Sequence, residues 1–142
     1  MITQVYDEDD TNDHRLAIDI FKHISIPASE KDYIYFRSSV IAGYDYRTDH
    51  VMPTSRKAYD ALDYYGVYRL LDAMIDYSFN GNTSAKDVAL GNGSSAQVTM
   101  PSYNGQAMAP LEVTDNPSAK YPQNKYQFQC SSLSNPRSGY CE

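Results

Sequence analysis

The order of the first apolar segments constrains this chain more than any other feature of its sequence. Ile2–Tyr6 is apolar and β-favouring, and an acidic turn, Asp7-Glu8-Asp9-Asp10, follows it. Asn12 or Asp13 is placed to N-cap a helix on which Leu16, Ala17, Ile20, Phe21 and Ile24 share one face, with Asp19, Lys22 and His23 elsewhere. Pro27 stops that helix, and Tyr33-Ile34-Tyr35-Phe36 then reads as a strand covered on both faces. Strand, helix, strand at this spacing is a βαβ unit, so an α/β fold with a parallel sheet is expected.

A loop carrying Gly43, Asp45, Asp49, His50 and Pro53 leads into a second helix, expected over residues 56–79. Ala61, Tyr65, Tyr68, Asp72 and Ile75 form its stripe, flanked by Leu62, Leu71 and Met74; Gly66 weakens it, and Asn80-Gly81 is its stop signal. The composition then changes. Ser84 is placed to cap a short helix closed by Gly91, and residues 97–100 and 107–113 read as extended runs around the hairpin dipeptide Asn104-Gly105. After Asp115 the chain is rich in Pro, Ser, Asn, Gln and Tyr, an irregular tail packing through its tyrosines. The chain thus divides into residues 1–81, an α/β core, and residues 82–142, an extension with a small hairpin and an irregular tail. There is no internal repeat.

At 142 residues and 42% hydrophobic content, one domain with a real core is expected. The net charge of -6, with 18 acidic against 12 basic residues and no basic stripe, argues against nucleic acid as a partner. No apolar run approaches the roughly 20 residues of a membrane span. No signal peptide opens the chain, since a strand-like pattern starts at once and no Lys or Arg precedes Arg15; Met1 reads as an internal or artificial start. The two cysteines, Cys130 and Cys141, fit no zinc motif. Their setting in a Ser, Asn and Pro rich tail reads as one disulfide closing a loop, hence an extracellular or periplasmic protein, with two free thiols as the alternative.

In an open parallel sheet, functional groups lie at the carboxyl ends of strands. Asp10 follows the first strand and His50 the second, so two adjacent parallel strands would bring both to one edge of the sheet. A carboxylate there accepts the imidazole Nδ1–H and stabilises the imidazolium formed in acyl transfer. The segment Val5-Tyr6-Asp7-Glu8-Asp9-Asp10-Thr11-Asn12 resembles the acid-bearing turn of α/β-hydrolases, with Asp7 where Gly is usual. Tyr33-Ile34-Tyr35-Phe36 followed by Asp49-His50 is similar to the last strand and histidine loop. Ala61-Leu62-Asp63-Tyr64-Tyr65-Gly66 resembles part of the C-terminal helix of secreted bacterial esterase-like members.

The resemblance implies that these are the last βαβα elements of an α/β-hydrolase sheet, followed by a family-specific extension. It implies Asp10 as the catalytic acid, with Asp9 as runner-up, and His50 as the catalytic histidine. The family's triad order is Ser, Asp, His, with the serine on a Gly-x-Ser-x-Gly elbow before the acid. Only residues 1–9 precede Asp10, and no Gly-x-Ser-x-Gly occurs; Gly91-Asn92-Gly93-Ser94-Ser95 has Gly in the central place and follows the histidine. The expectation is therefore a C-terminal fragment of a secreted serine hydrolase acting on esters, inactive alone. Its partner would be the missing N-terminal half or another copy of the chain, and no cofactor is implied. The rival is a non-catalytic extracellular binding module with a tyrosine-rich surface, built on the 14 tyrosines. A calcium loop at Asp7 to Asp10 lacks the downstream Gly and Glu it needs, so no metal is expected. His14 reads as a surface residue at a helix start, His23 as a helix-end residue favoured by the dipole, and Asp49 as an orienter of its loop.

Overall fold

The computed structural model describes residues 1–6, 13–52 and 59–140. It is a mixed α/β structure with small sheets and several helices. Strand β1 (Ile2–Tyr6) runs into helix α1 (Arg15–His23), which returns the chain to β2 (Asp32–Phe36). β1 and β2 pair in parallel, Ile2 opposite Asp32 and Tyr6 opposite Phe36, so both strands end at one edge. The expected βαβ unit is present.

β2 is the centre of the molecule. Tyr33, Ile34 and Phe36 are fully buried, and successive side chains go to opposite layers. Tyr33 joins Val5, Ile18 and Phe21 beneath α1. Ile34 and Phe36 join Leu62 and Leu70 on the other face.

Beyond β2 a hairpin, β3 (Ser39–Ile41) with β4 (Tyr44–Tyr46), stands where a loop is expected. Its turn residues Ala42 and Gly43 both have positive φ, 50° and 81°, the geometry of a type I′ turn. The second helix differs from expectation at its start. Residues 59 and 60 are not helical, and Asp60 caps the helix by accepting the Leu62 N–H at 2.8 Å. Asp63 reaches back to accept the Asp60 N–H at 3.0 Å, which completes a capping box. A π-helical segment (Asp63–Tyr68) then leads into α2 (Arg69–Asn80), ended by Gly81 at φ 70°.

The π segment moves the buried line to Leu62, Asp63, Gly66 and Leu70, away from the expected stripe, and leaves Ile75 44% exposed. Gly66 has a positive role here. A Cβ at that position would sit 2.4 Å from Phe36 Cε1, so the missing side chain is what lets the helix lie on β2.

The later residues are built into the same core. Asn82, rather than the expected Ser84, caps the turn that leads into α3 (Lys86–Ala89), accepting from the Ser84 N–H. The segment expected to be extended from 97 is instead helical in α4 (Ser95–Val98), because Ser94 caps it through the Gln97 N–H. Strands β5 (Ser102–Tyr103) and β6 (Gln106–Ala107) make the expected hairpin, with Asn104 at φ 50° and Gly105 at φ 78°. β7 (Glu112–Thr114) pairs antiparallel with β2 and gives the sheet order β1-β2-β7.

Gln97, fully buried, joins α4 to the start of β2. Its Nε2 donates to Asp32 Oδ2 at 2.6 Å, and its Oε1 accepts the Gly93 N–H at 2.8 Å. The tail is irregular, as expected, and closes over the outer side of α1.

Gly66→Ala separates helix propensity from packing. Propensity alone favours Ala by about 1 kcal/mol, whereas overpacking against Phe36 costs about 1–3 kcal/mol. We expect a net loss of stability of about 1 kcal/mol in urea unfolding; a stabilised Gly66→Ala variant would show that the Phe36 contact does not limit the site.

Candidate functional site

A cleft of about 310 Å³ opens at the carboxyl end of β1, between that strand and α1. Tyr6 and Asp13 line it, and these two residues flank the acidic turn. His50 lines it as well. The expected acid Asp10 and its neighbour Asp9 lie outside the described residues. The two ends of the segment that carries them therefore border the same cleft as His50.

The local chain fixes where His50 stands. Thr48, with no exposed surface, donates its N–H to Ser38 Oγ at 3.0 Å, and the two hydroxyl oxygens lie 3.1 Å apart. This ties the histidine segment back to the end of β2. Asp49 Oδ1 accepts the Val51 N–H at 3.1 Å, and its carbonyl accepts the Met52 N–H at 3.0 Å. Asp49 thus orients the turn, as its sequence position suggests. Met52, 8% exposed, anchors the far side in the core. His50 is an exposed side chain between two buried anchors.

Asp13, the described carboxylate on the cleft, is engaged elsewhere. Its two oxygens accept from Arg15 Nε at 2.8 Å and Nη2 at 2.6 Å. Burial opposes its ionisation, but the hydrogen bonds and charge of Arg15, aided by Arg137, outweigh that and hold its carboxyl below the usual range. Among the described residues, no serine, threonine or cysteine lines this cleft.

His14 is a correction to the sequence reading. It is 8% exposed, not a surface residue, because the tail covers it. Its Nε2 accepts the Lys120 N–H at 3.0 Å and lies 3.2 Å from the Tyr126 hydroxyl. As an acceptor that nitrogen carries no proton. Burial, partly opposed by Asp13 and reinforced by Lys120 and Arg15, lowers its pKa below the ordinary value.

Arg15 beside it is 1% exposed. Besides Asp13, it donates to Gln123 Oε1 and to the Phe128 carbonyl, and Tyr126 stacks 3.8 Å from its guanidinium carbon. Charge burial is tolerated there because the donors are shared among several acceptors. His23 is exposed at the helix end as expected, its Nδ1 2.8 Å from the Asp19 carbonyl.

Asp63 was not foreseen as a buried acid. It is 1% exposed, and its Oδ1 has no hydrogen-bond partner. Burial, with Asp60 adding to it, raises its pKa.

Cys130 Sγ lies 3.2 Å from Gln123 Oε1 and 3.9 Å from Arg137 Nη1; Cys141 lies outside the described residues. Among the described residues no group of three or more His, Cys, Asp or Glu side chains is placed to hold a metal ion. No helix among them is long and apolar enough to cross a membrane. Comparisons with protein-family models, with curated proteins and with solved structures find no match.

His14 gives a signed pH prediction. Its folded pKa lies below the unfolded value of 6.5, so the unfolded chain binds the proton more readily. The stability it contributes is fully present above pH 6.5 and is lost as the pH falls toward the folded pKa. Chemical denaturation at pH 7.5 and pH 5.5 should show this fall, and His14→Gln, which keeps an acceptor for Lys120, should reduce it. An unchanged slope in the variant would remove His14 from the acid response.

Proposed function

We propose that this chain is the C-terminal part of a secreted serine hydrolase acting on esters, and that it supplies the acid and the histidine of a Ser-His-Asp triad. The observation that carries the reading is the cleft shared by His50 and by Tyr6 and Asp13, the residues bordering the acidic turn. In this reading Asp10, or Asp9, accepts the Nδ1–H of His50 and fixes its tautomer. Nε2 of His50 then takes the proton of a serine hydroxyl as that oxygen attacks the ester carbonyl, and returns it to the departing alkoxide. The serine and the paired N–H donors for the oxyanion belong to the N-terminal half. Each such donor is worth roughly 3–4 kcal/mol, so the part without them has little catalytic power.

A bond between Cys130 and Cys141 belongs to the same reading and accompanies secretion. The rival, a binding module with a tyrosine-rich surface in the C-terminal half, has Tyr103 exposed there, whereas Tyr126 is 7% exposed and faces Arg15. The other exposed tyrosines among the described residues include Tyr44, Tyr59, Tyr64 and Tyr65, all in the first 81 residues.

The 142-residue chain should hydrolyse p-nitrophenyl acetate no faster than its His50→Ala variant. The coding sequence upstream of Met1 should carry Gly-x-Ser-x-Gly. Joined to that upstream half, the chain should gain saturable turnover that falls by about a thousandfold or more in His50→Ala and in Asp10→Asn. Saturable hydrolysis by the isolated chain that vanishes in His50→Ala would overturn the reading and place a nucleophile within these residues. The cysteine pair has its own test: intact mass after alkylation should show no modified thiol until reductant is added.

A further inference from the structure

We infer that Asn104 is a site of enzyme-free covalent modification: its side-chain amide is converted to a carboxylate, with isoaspartate among the products, while the fold holds the chain's other Asn-Gly dipeptides unreactive. Neither the site nor its test depends on the hydrolase reading.

The chain contains three Asn-Gly dipeptides, Asn80-Gly81, Asn92-Gly93 and Asn104-Gly105. In such a pair the glycine backbone nitrogen can attack the asparagine side-chain carbonyl carbon, because a residue without Cβ leaves the approach clear. Base removes the glycine amide proton, a C–N bond forms to Cγ, and the Cγ–Nδ2 bond breaks as ammonia leaves with a proton. The product is a five-membered succinimide, which water then opens. Opening at Cγ gives aspartate on the original backbone. Opening at the main-chain carbonyl carbon gives isoaspartate, whose backbone runs through Cβ and Cγ. The chain gains a water and loses an ammonia, so water is the only co-reactant. The reaction requires a free asparagine amide and a free glycine N–H.

The fold occupies these groups at two of the dipeptides. Asn80 ends α2, and its Nδ2 donates to Asp76 Oδ1 at 3.0 Å. The Gly81 N–H donates to the Asp76 carbonyl. At the second dipeptide the Gly93 N–H donates to Oε1 of the fully buried Gln97 at 2.8 Å, and the Asn92 N–H donates to Asp32 Oδ2 at 3.1 Å. A committed N–H must give up its hydrogen bond before its nitrogen becomes a nucleophile. The Asp32 carboxylate, 3% exposed, also opposes the loss of a proton beside it.

Asn104 and Gly105 stand otherwise. They form the two-residue loop between β5 and β6, at φ 50° and 78°. Tyr103 pairs with Gln106, so the ladder closes without using the Gly105 N–H. Among the described residues nothing hydrogen-bonds the Asn104 amide or the Gly105 N–H. Residues 102–107 are all exposed, and a Cβ at Gly105 would meet no atom within 4 Å. The loop thus has room for the rotation that brings the glycine nitrogen onto Cγ. Each flanking strand is two residues long, so few backbone hydrogen bonds resist that rotation.

The two products differ in what they do to the hairpin. Aspartate suits the same turn, as Asp-Gly does in general. Isoaspartate inserts a methylene into a loop whose pairing needs two standard residues, and so moves Tyr103 and Gln106 out of register. Gln106 Oε1 accepts the Ala42 N–H at 3.1 Å, which joins this hairpin to the β3–β4 turn. Tyr103, with Tyr46 and Ile41, lines a cavity of about 160 Å³ at the same junction. Isoaspartate at this position therefore reaches both the junction and the cavity.

The test incubates the 142-residue chain in mildly alkaline buffer and follows it by peptide mapping, with fragmentation that separates isoaspartate from aspartate. The Asn104 peptide should convert at least tenfold faster than the Asn80 and Asn92 peptides. In concentrated urea the three rates should approach one another, because the dipeptide is the same and only the fold distinguishes them. Asn104→Gln keeps an amide but would have to close a six-membered ring; it should abolish the fast conversion and leave the rates at Asn80 and Asn92 unchanged. Equal rates in the folded chain, or faster conversion at Asn80 or Asn92, would overturn the proposal. So would a tenfold difference that persists in urea, since flanking residues rather than the fold would then set it. Fast conversion at Asn104 without any isoaspartate would also overturn it, since ring opening yields both products.

Discussion

The parallel pairing of Ile2–Tyr6 with Asp32–Phe36 is the constraint on which the rest of the structure depends. It forces a crossover, which α1 supplies, and it brings two carboxyl ends to one edge. β2 is thereby enclosed between α1 and the helix of residues 61–80, and from Tyr33 to Phe36 its residues are apolar or aromatic on both sides. Gly66 follows from this enclosure. Phe36 fills the layer so completely that the helix passing over it has room for no side chain there. The π segment lies at the same contact.

Arg15 is the second organising residue. A guanidinium in the interior needs acceptors for its N–H groups, and they come from the adjacent Asp13 and from Gln123 and Phe128 in the tail. The outer side of α1 is therefore covered by a polar clamp rather than by an apolar layer. Arg137 and Asp19 repeat the pattern one turn further along, with contacts of 2.6 and 2.9 Å. His14 is buried as a consequence of this covering, and its role follows from residues more than a hundred positions away.

What was legible in the sequence was what periodicity and punctuation determine locally. Ile2–Tyr6, the helix ended before Pro27 and the run through Phe36 are read from patterns that need no partner. The hairpin at Asn104-Gly105 announces itself by its dipeptide. The hairpin at Ala42-Gly43 does not, because alanine rarely occupies the left-handed region that its turn requires. The four-residue helix Ser95–Val98 is too short for any period to reveal, and only Ser94 as a cap hints at it. The buried face of α1 departs from the hydrophobic period for a physical reason: Leu16 and Ile20 border the cleft beside β1 and stay exposed, while Arg15 takes a buried position that hydrophobicity alone would deny it. Of the candidate site, His50 lines the cleft at the end of β1, and Asp9 and Asp10 lie outside the described residues.

The tail clamp also bears on how the chain acquires its structure. Arg15 meets residues 123 and 128, and Asp19 meets Arg137, so these contacts close loops that span most of the polypeptide. Loop closure of that length costs entropy that the clamp contacts must offset, whereas the βαβ unit closes a much shorter loop. In the native protein the same segment is rich in irregular backbone and held by a few polar anchors. It is therefore suited to opening as a unit while the sheet stays intact. An opening of this segment would bring the guanidinium of Arg15 and the ring of His14, buried in the closed structure, into water.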